Sequence, residues 1–229
     1  MITLRPLPAT FATTRDGLHA LAEHVIAPIR YREEGRIGLR PTPFGFGTDM
    51  MPGDRQVKVA NGLLIDFRPD VELREDITTL RAAGAFLEEP VGAPTEVYAP
   101  ATDGDPDRPL QVDIAAATSL GEWFTFGAQV LHEVGEAADA AHDVTIIQLW
   151  PEHFDLALDL GPEGRRANVG ASPGDADHPE PYLYVGPWGD RPADPVWNEP
   201  FGASLSYADL LAGTDPVAWI THALAVAQG

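Results

Sequence analysis

Between His153 and Leu160 the chain alternates without a break. Phe154, Leu156, Leu158 and Leu160 share one parity, and His153, Asp155, Ala157 and Asp159 share the other. A period of two defines a half-buried strand with the first set facing a core. Gly161-Pro162-Glu163-Gly164 reads as a turn, and the return segment repeats the alternation, with Ala167, Val169 and Ala171 against Arg166, Asn168 and Gly170. A four-residue loop joining Leu160 to Arg165 predicts the apolar pairs Leu158–Ala167, Leu156–Val169 and Phe154–Ala171. The opposite face then pairs Asp159 with Arg166, Ala157 with Asn168 and Asp155 with Gly170.

A later segment, Tyr182 to Trp188, carries Leu183 and Val185 on one parity and Tyr182, Tyr184 and Trp188 on the other. If the aliphatic residues share the hairpin's core, the rings join its polar face. The candidate ligand-binding residues are then His153, Asp155, Asn168, Tyr182, Tyr184 and Trp188, with Gly170 leaving room beside the Asp155 carboxylate. Flat rings with a few orienting polar groups suit a small polar ligand such as a sugar. An ordinary outer sheet face is the bland reading of the same residues, and a protein-docking face is an alternative function. The intervening loop, rich in proline, places Asp175, Asp177, His178 and Glu180 close together in sequence. Oxygen and imidazole donors suit a divalent ion, with His153 as a further ligand, and would make a metal-dependent hydrolase. Their spacing matches no ligand signature.

Composition narrows the classes. A chain of 229 residues with 44% hydrophobic content can build one domain or two small ones. With no cysteine, disulfides, zinc–thiolate sites and thiol nucleophiles are excluded. A net charge of −20 argues against nucleic-acid and anionic-membrane partners. Lys58 is the one lysine, and the abundance of Ala, Asp and Pro fits a GC-rich bacterial genome or a salt-adapted one. No segment approaches the roughly 20 apolar residues of a membrane span, nor the apolar core of a signal peptide, so a cytoplasmic protein is expected.

Along the chain, a helix is predicted over Thr14–Ala27, ended by Pro28, followed by extended chain over Arg36–Thr48. Asn61-Gly62 centres a hairpin over Gln56–Phe67. Helices follow over Asp76–Glu89 and Ser119–Ala141, then a buried strand over Val144–Trp150, loop over Asp190–Pro200, and helices over Ser206–Leu211 and Asp215–Gln228. The expected fold is a single α+β domain, residues 1–229, with helices packed on antiparallel sheet. The order also echoes itself as two helix–strands–helix halves, 10–90 and 117–229, about a connector at 91–116.

Several motifs come close to known chemistry and miss. Ser119 and Glu122, by contrast, are expected to form a capping box that opens the Ser119–Ala141 helix. His132-Glu133, Glu136, Asp139 and His142 follow part of the long zinc-protease pattern, but Glu136 replaces its middle histidine and Asp139 its glycine, so a solvated helix face is expected. Asp103-Gly104-Asp105-Pro106-Asp107 alternates carboxylates like a calcium loop but lacks that loop's later glycine and acid, which favours an exposed acidic linker. Gly45-Phe46-Gly47 is followed by no helix start, and Gly202-Ala203-Ser204-Leu205-Ser206 lacks the closing glycine of a serine-hydrolase elbow.

Gly38-Leu39 followed by Pro41-Thr42-Pro43-Phe44-Gly45, and later Phe154-Asp155-Leu156-Ala157, resemble features of an uncharacterised bacterial family of unknown function. In that family a Gly-Leu strand ends in a Pro-x-Pro-aromatic-Gly turn, and a Phe-Asp-Leu-Ala strand comes much later. The two matches are short, and the spacing around Met50–Arg55 departs from the family pattern. The resemblance implies an order of elements and no chemistry.

Overall fold

A computed structural model describes residues 3–138 and 142–229. The chain forms two compact units. One comprises Leu7–Thr125 with Leu149–Phe154; the other comprises Met1–Pro6, Phe126–Gln148 and Asp155–Gly229. The fold is α+β with two antiparallel five-stranded sheets. The division falls inside the longest helix, and the 91–116 segment belongs wholly to the first unit. Among the described residues no helix is long and apolar enough to cross a membrane.

The first unit opens with helices α1 (Phe11–Leu21) and α2 (Ala27–Glu34), joined by a π-helical turn over Ala22–Ile26. The expected stop at Pro28 is therefore a bulge instead. Pro28 offers no N–H to the carbonyl of His24, four residues back, and the chain widens around it. That carbonyl accepts a hydrogen bond from the Gly92 N–H at 2.8 Å instead, so the ladder is completed from a distant loop. Gly35, at φ +68°, then ends α2.

The first sheet runs β1 (Arg40–Thr42), β2 (Gly45–Gly47), β3 (Gln56–Ala60), β4 (Leu63–Arg68) and β5 (Val71–Asp76) in chain order. Asn61 and Gly62 both take positive φ, +50° and +77°, as the tight turn between β3 and β4 requires. Strand β5 departs from expectation. It occupies sequence given no element and the first residue of the predicted helix, because α3 (Leu80–Leu87) begins only after Thr79, whose hydroxyl caps the Ala82 N–H at 3.1 Å.

Helix α4 (Ile114–Ala137) starts five residues before Ser119. The capping box is not formed. Asp113 caps the Ala116 N–H at 2.9 Å, while the Ser119 hydroxyl bonds back to the Ala115 carbonyl. The helix ends at Ala137, and Asp139 and Ala141 lie outside the described residues. His132 and Glu136 are exposed, and His142 bonds Gln228 at 3.2 Å. Within the first unit Phe46, Phe124 and Phe154 meet edge to face, with centroids 5.1 to 6.0 Å apart.

The second sheet has the order β10-β9-β8-β7-β6. Its strands are β6 (Gln148–Trp150), β7 (Asp155–Leu160), β8 (Ala167–Ser172), β9 (Tyr182–Pro187) and β10 (Ala203–Ser206). The expected buried strand from Val144 shrinks to the three residues of β6, and Ile146 is exposed. Parity is as expected: Leu156, Leu158, Leu160, Ala167, Val169, Ala171, Leu183 and Val185 are all buried. The register is not. Leu156 pairs with Ala171, Leu158 with Val169 and Asp159 with Asn168, a shift of two residues. The loop runs from Gly161 to Arg166, because Arg166 turns out of the ladder to Asp143 at 2.9 Å. An even shift preserves the faces, so the apolar pattern cannot distinguish the two registers. Helix α5 (Tyr207–Leu211) is capped by Ser206, and α6 (Pro216–Gln228), capped by Asp215, packs against β8, β9 and β10.

Gly121 brings α4 against the β1–β2 turn, where a Cβ would lie 2.5 Å from the Phe44 carbonyl carbon. Helix propensity alone makes Gly121→Ala a gain of about 1 kcal/mol. Overpacking against backbone reverses the sign, so the substitution is expected to cost a net ~1–3 kcal/mol in urea unfolding. A stabilised variant would refute that close approach.

Candidate functional site

The polar face of the second sheet is built from the residues that alternate with its buried set: Asp155, Ala157 and Asp159 on β7, Asn168, Gly170 and Ser172 on β8, Tyr182 and Tyr184 on β9, and Ser204 and Ser206 on β10. Gly170 stands between Ala157 and Tyr184. Any Cβ there would collide with the Tyr184 ring, so the ring lies over the bare backbone of β8. The space expected beside Asp155 is thus filled by Tyr184, whose hydroxyl donates a short hydrogen bond to Asp155 Oδ2. Asp155 is 6% exposed. Burial, then the Asp155 charge and this hydrogen bond, hold the Tyr184 phenol well above its ordinary pKa, so it remains a donor.

The neighbouring pair repeats the arrangement closer to solvent. The Tyr182 hydroxyl donates to Asp175 Oδ2 at 3.2 Å, and burial is the main reason its pKa rises to about 12. Asp175 also accepts from the N–H groups of Asp177 and His178, each at 2.8 Å, which closes the proline-rich loop on itself. His178 Nε2 donates to Glu199 Oε1 at 3.1 Å, and the Ser204 hydroxyl donates to the same oxygen at 3.0 Å. Four rings gather here. His178 lies 4.9 Å from Tyr182, and Phe201 lies 6.3 Å from each of His178, Tyr182 and Tyr184.

Of the expected residues, Asp155, Tyr182 and Tyr184 meet in this cluster, and Asp175 and His178 join them. Three others do not. His153 is exposed in a turn, because Phe154 takes φ +55° and the strand begins only at Asp155. The two residues therefore do not share a strand face. Asn168 lies further along the face and donates to Asp159 at 3.0 Å. Trp188 falls beyond β9, is 64% exposed and stacks with Arg166 at 5.5 Å. The predicted Asp159–Arg166 pair is replaced by Asp159–Asn168 and Asp143–Arg166. Asp177 and Glu180 are exposed, and among the described residues no three His, Asp or Glu side chains converge as a metal ion would need. Phe201, Glu199 and Ser204 were missed. Ser204 had a signal in the alternation of Ala203 and Leu205 with Ser204 and Ser206, which marks β10, while Glu199 and Phe201 precede the strand and had none.

The first unit holds a second polar centre that the helical periodicity concealed. Glu23, on the π-helical turn, is fully buried. Its carboxylate accepts from Ala101 N at 2.9 Å, Thr102 N at 2.8 Å and the Thr102 hydroxyl at 2.5 Å. His24 Nε2 lies 3.1 Å from that hydroxyl, and the Tyr98 hydroxyl donates to the Glu23 carbonyl at 3.3 Å. Ala101 and Thr102 are anchored here, and in the acidic segment that follows Asp103, Asp105 and Asp107 are exposed, as expected. His19 stacks on Phe154 at 5.0 Å and donates to the Pro151 carbonyl at 2.8 Å. Its contacts are those of a packed and satisfied residue.

Comparison with known protein families, curated proteins and solved structures gives no match.

Burial lowers the His19 pKa, against the opposing pull of Glu23 and Asp16. In the unfolded chain the imidazole titrates near its ordinary value of about 6.5. The folded state thus binds fewer protons, and stability falls as pH drops from that value toward the lowered one. The expected slope is at most about 1.4 kcal/mol per pH unit. Urea unfolding between pH 5 and 7.5 should show a flatter dependence for His19→Gln than for the parent. Equal slopes would mean that His19 is not the group responsible.

Proposed function

We propose that the protein binds a small hydroxyl-rich molecule, such as a sugar or polyol, at the ring cluster formed by His178, Tyr182 and Phe201. The observation that carries this reading is the grouping of half-exposed rings with the carboxylates of Asp175 and Glu199, brought by two loops around Tyr182 on the polar face of the second sheet. Phe201 is 42% exposed and offers a ring face for stacking. Carboxylates accept hydrogen bonds and never donate, so they select ligands rich in donors. The net charge of −20 disfavours anions and supports the exclusion of nucleic acid. In this reading Asp155 and Tyr184 form the floor beneath the rings and hold Tyr182 in place. The absence of cysteine and the acidic surface fit a protein that works in the cytoplasm.

The test is a thermal-shift screen with neutral mono- and disaccharides, polyols and simple anions, followed by calorimetric titration. A neutral hydroxylated compound should raise the parent's Tm. Phe201→Ala and Asp175→Asn should each weaken it at least tenfold, about 1.4 kcal/mol, while retaining the parent's circular dichroism. No shift from any hydroxylated compound, or equal affinity in both variants, would sink the proposal.

A further inference from the structure

The last strand of the first sheet is an open edge. Strand β5 pairs with β4 on one side, and all six of its residues are exposed. Val71 is 44% exposed and Leu73 43%. These two residues lie on the same face as the buried Leu64 and Asp66 of β4, so the buried side of the sheet continues uncovered to its rim.

We propose that this edge is the surface through which two copies of the chain associate, as an antiparallel pair of β5 strands with its two-fold axis at Leu73. The alternation of backbone hydrogen bonds restricts the choices. Arg68 and Val71 flank the two-residue turn Pro69-Asp70, and a pair in that position must exchange hydrogen bonds with each other. The peptide groups of Val71, Leu73 and Glu75 therefore point to β4, and those of Glu72, Arg74 and Asp76 point to the free edge. Self-pairing must set outward residues opposite outward residues, which places the axis on a residue and not between two.

Charge then selects the residue. An axis at Glu72 opposes two Glu72 carboxylates, one at Arg74 opposes two guanidiniums, and one at Glu75 opposes two Glu75 carboxylates. An axis at Leu73 sets Glu72 against the partner's Arg74, and Arg74 against the partner's Glu72, both as hydrogen-bonded pairs. Leu73 meets the partner's Leu73 in the closer, non-hydrogen-bonded position, where apolar side chains contact best. Within one chain Arg74 already reaches Glu72 at 2.5 Å on the face opposite Leu73. Only Asp76 against the partner's Asp70 opposes like charges, and Asp70 lies in the exposed turn beyond β5. Edge strands that must stay single carry charges that repel a copy of themselves; the order Glu-Leu-Arg instead complements itself.

Sedimentation velocity over a concentration series tests this at ~0.15 M salt, where the net charge is screened beyond about 8 Å. The parent should move from the mass of one chain to that of two. Arg74→Glu and Glu72→Arg, both exposed and checked for folding by circular dichroism, should each weaken association at least about tenfold. An equimolar mixture of the two variants should associate again, because each strand then meets its opposite charge. A parent that stays at one mass overturns the proposal. So do variants that associate as tightly as the parent, or a mixture no tighter than its components.

Discussion

The second sheet depends on how closely α4 can lie on it, and glycine sets that distance. A Cβ at Gly127 would sit 2.6 Å from the Ala171 Cβ and 3.5 Å from Leu156. Eight residues on, Gly135 faces Leu158 at 3.8 Å. The two glycines share one helix face and let α4 rest on the middle of β7 and β8, with α6 packed on the neighbouring strands. That contact fixes which parity of β7 and β8 is inside. Asp155, Gly170, Tyr182 and Tyr184 are consigned to the other face as a consequence.

What the sequence disclosed follows from which interactions are periodic. The alternation from Leu156 to Leu160 gave the face of every hairpin residue, because burial acts on parity. It did not give the register, because a shift of two residues keeps every apolar pair apolar. Only the exit of Arg166 toward Asp143 separates the alternatives, and that contact has no local signature. Strand β5 was missed for a different reason: its alternation, Val71 and Leu73 against Glu72 and Arg74, covers only four residues, and no core buries its apolar side. His153 was lost to one dihedral, since a phenylalanine at positive φ is not signalled by its neighbours.

The two polar centres use carboxylates differently. Glu23 is enclosed by donors from a single stretch of backbone and one hydroxyl, an arrangement that fixes a loop and has no ring face open to a ligand. Asp175 and Glu199 are partly exposed beside rings, and their hydrogen bonds come from loop backbone, Tyr182, His178 and Ser204. The tyrosines link the interior of the sheet to its surface. Tyr184 covers Gly170 and binds the buried Asp155, while Tyr182 binds the outer Asp175, so each phenol donates to one carboxylate at its own depth.

The widened turn before Pro28 has a consequence for the order in which the chain can become structured. The His24 carbonyl is satisfied by Gly92, and the Glu23 carboxylate by Ala101 and Thr102. Until those residues have left the ribosome, water must serve the His24 carbonyl and the Glu23 carboxylate, and neither can be buried without cost. Burial of the N-terminal helices is therefore expected to wait for contacts nearly eighty residues away along the chain. Long-range closure of this kind slows folding, so the first unit should emerge as a single cooperative step rather than helix by helix.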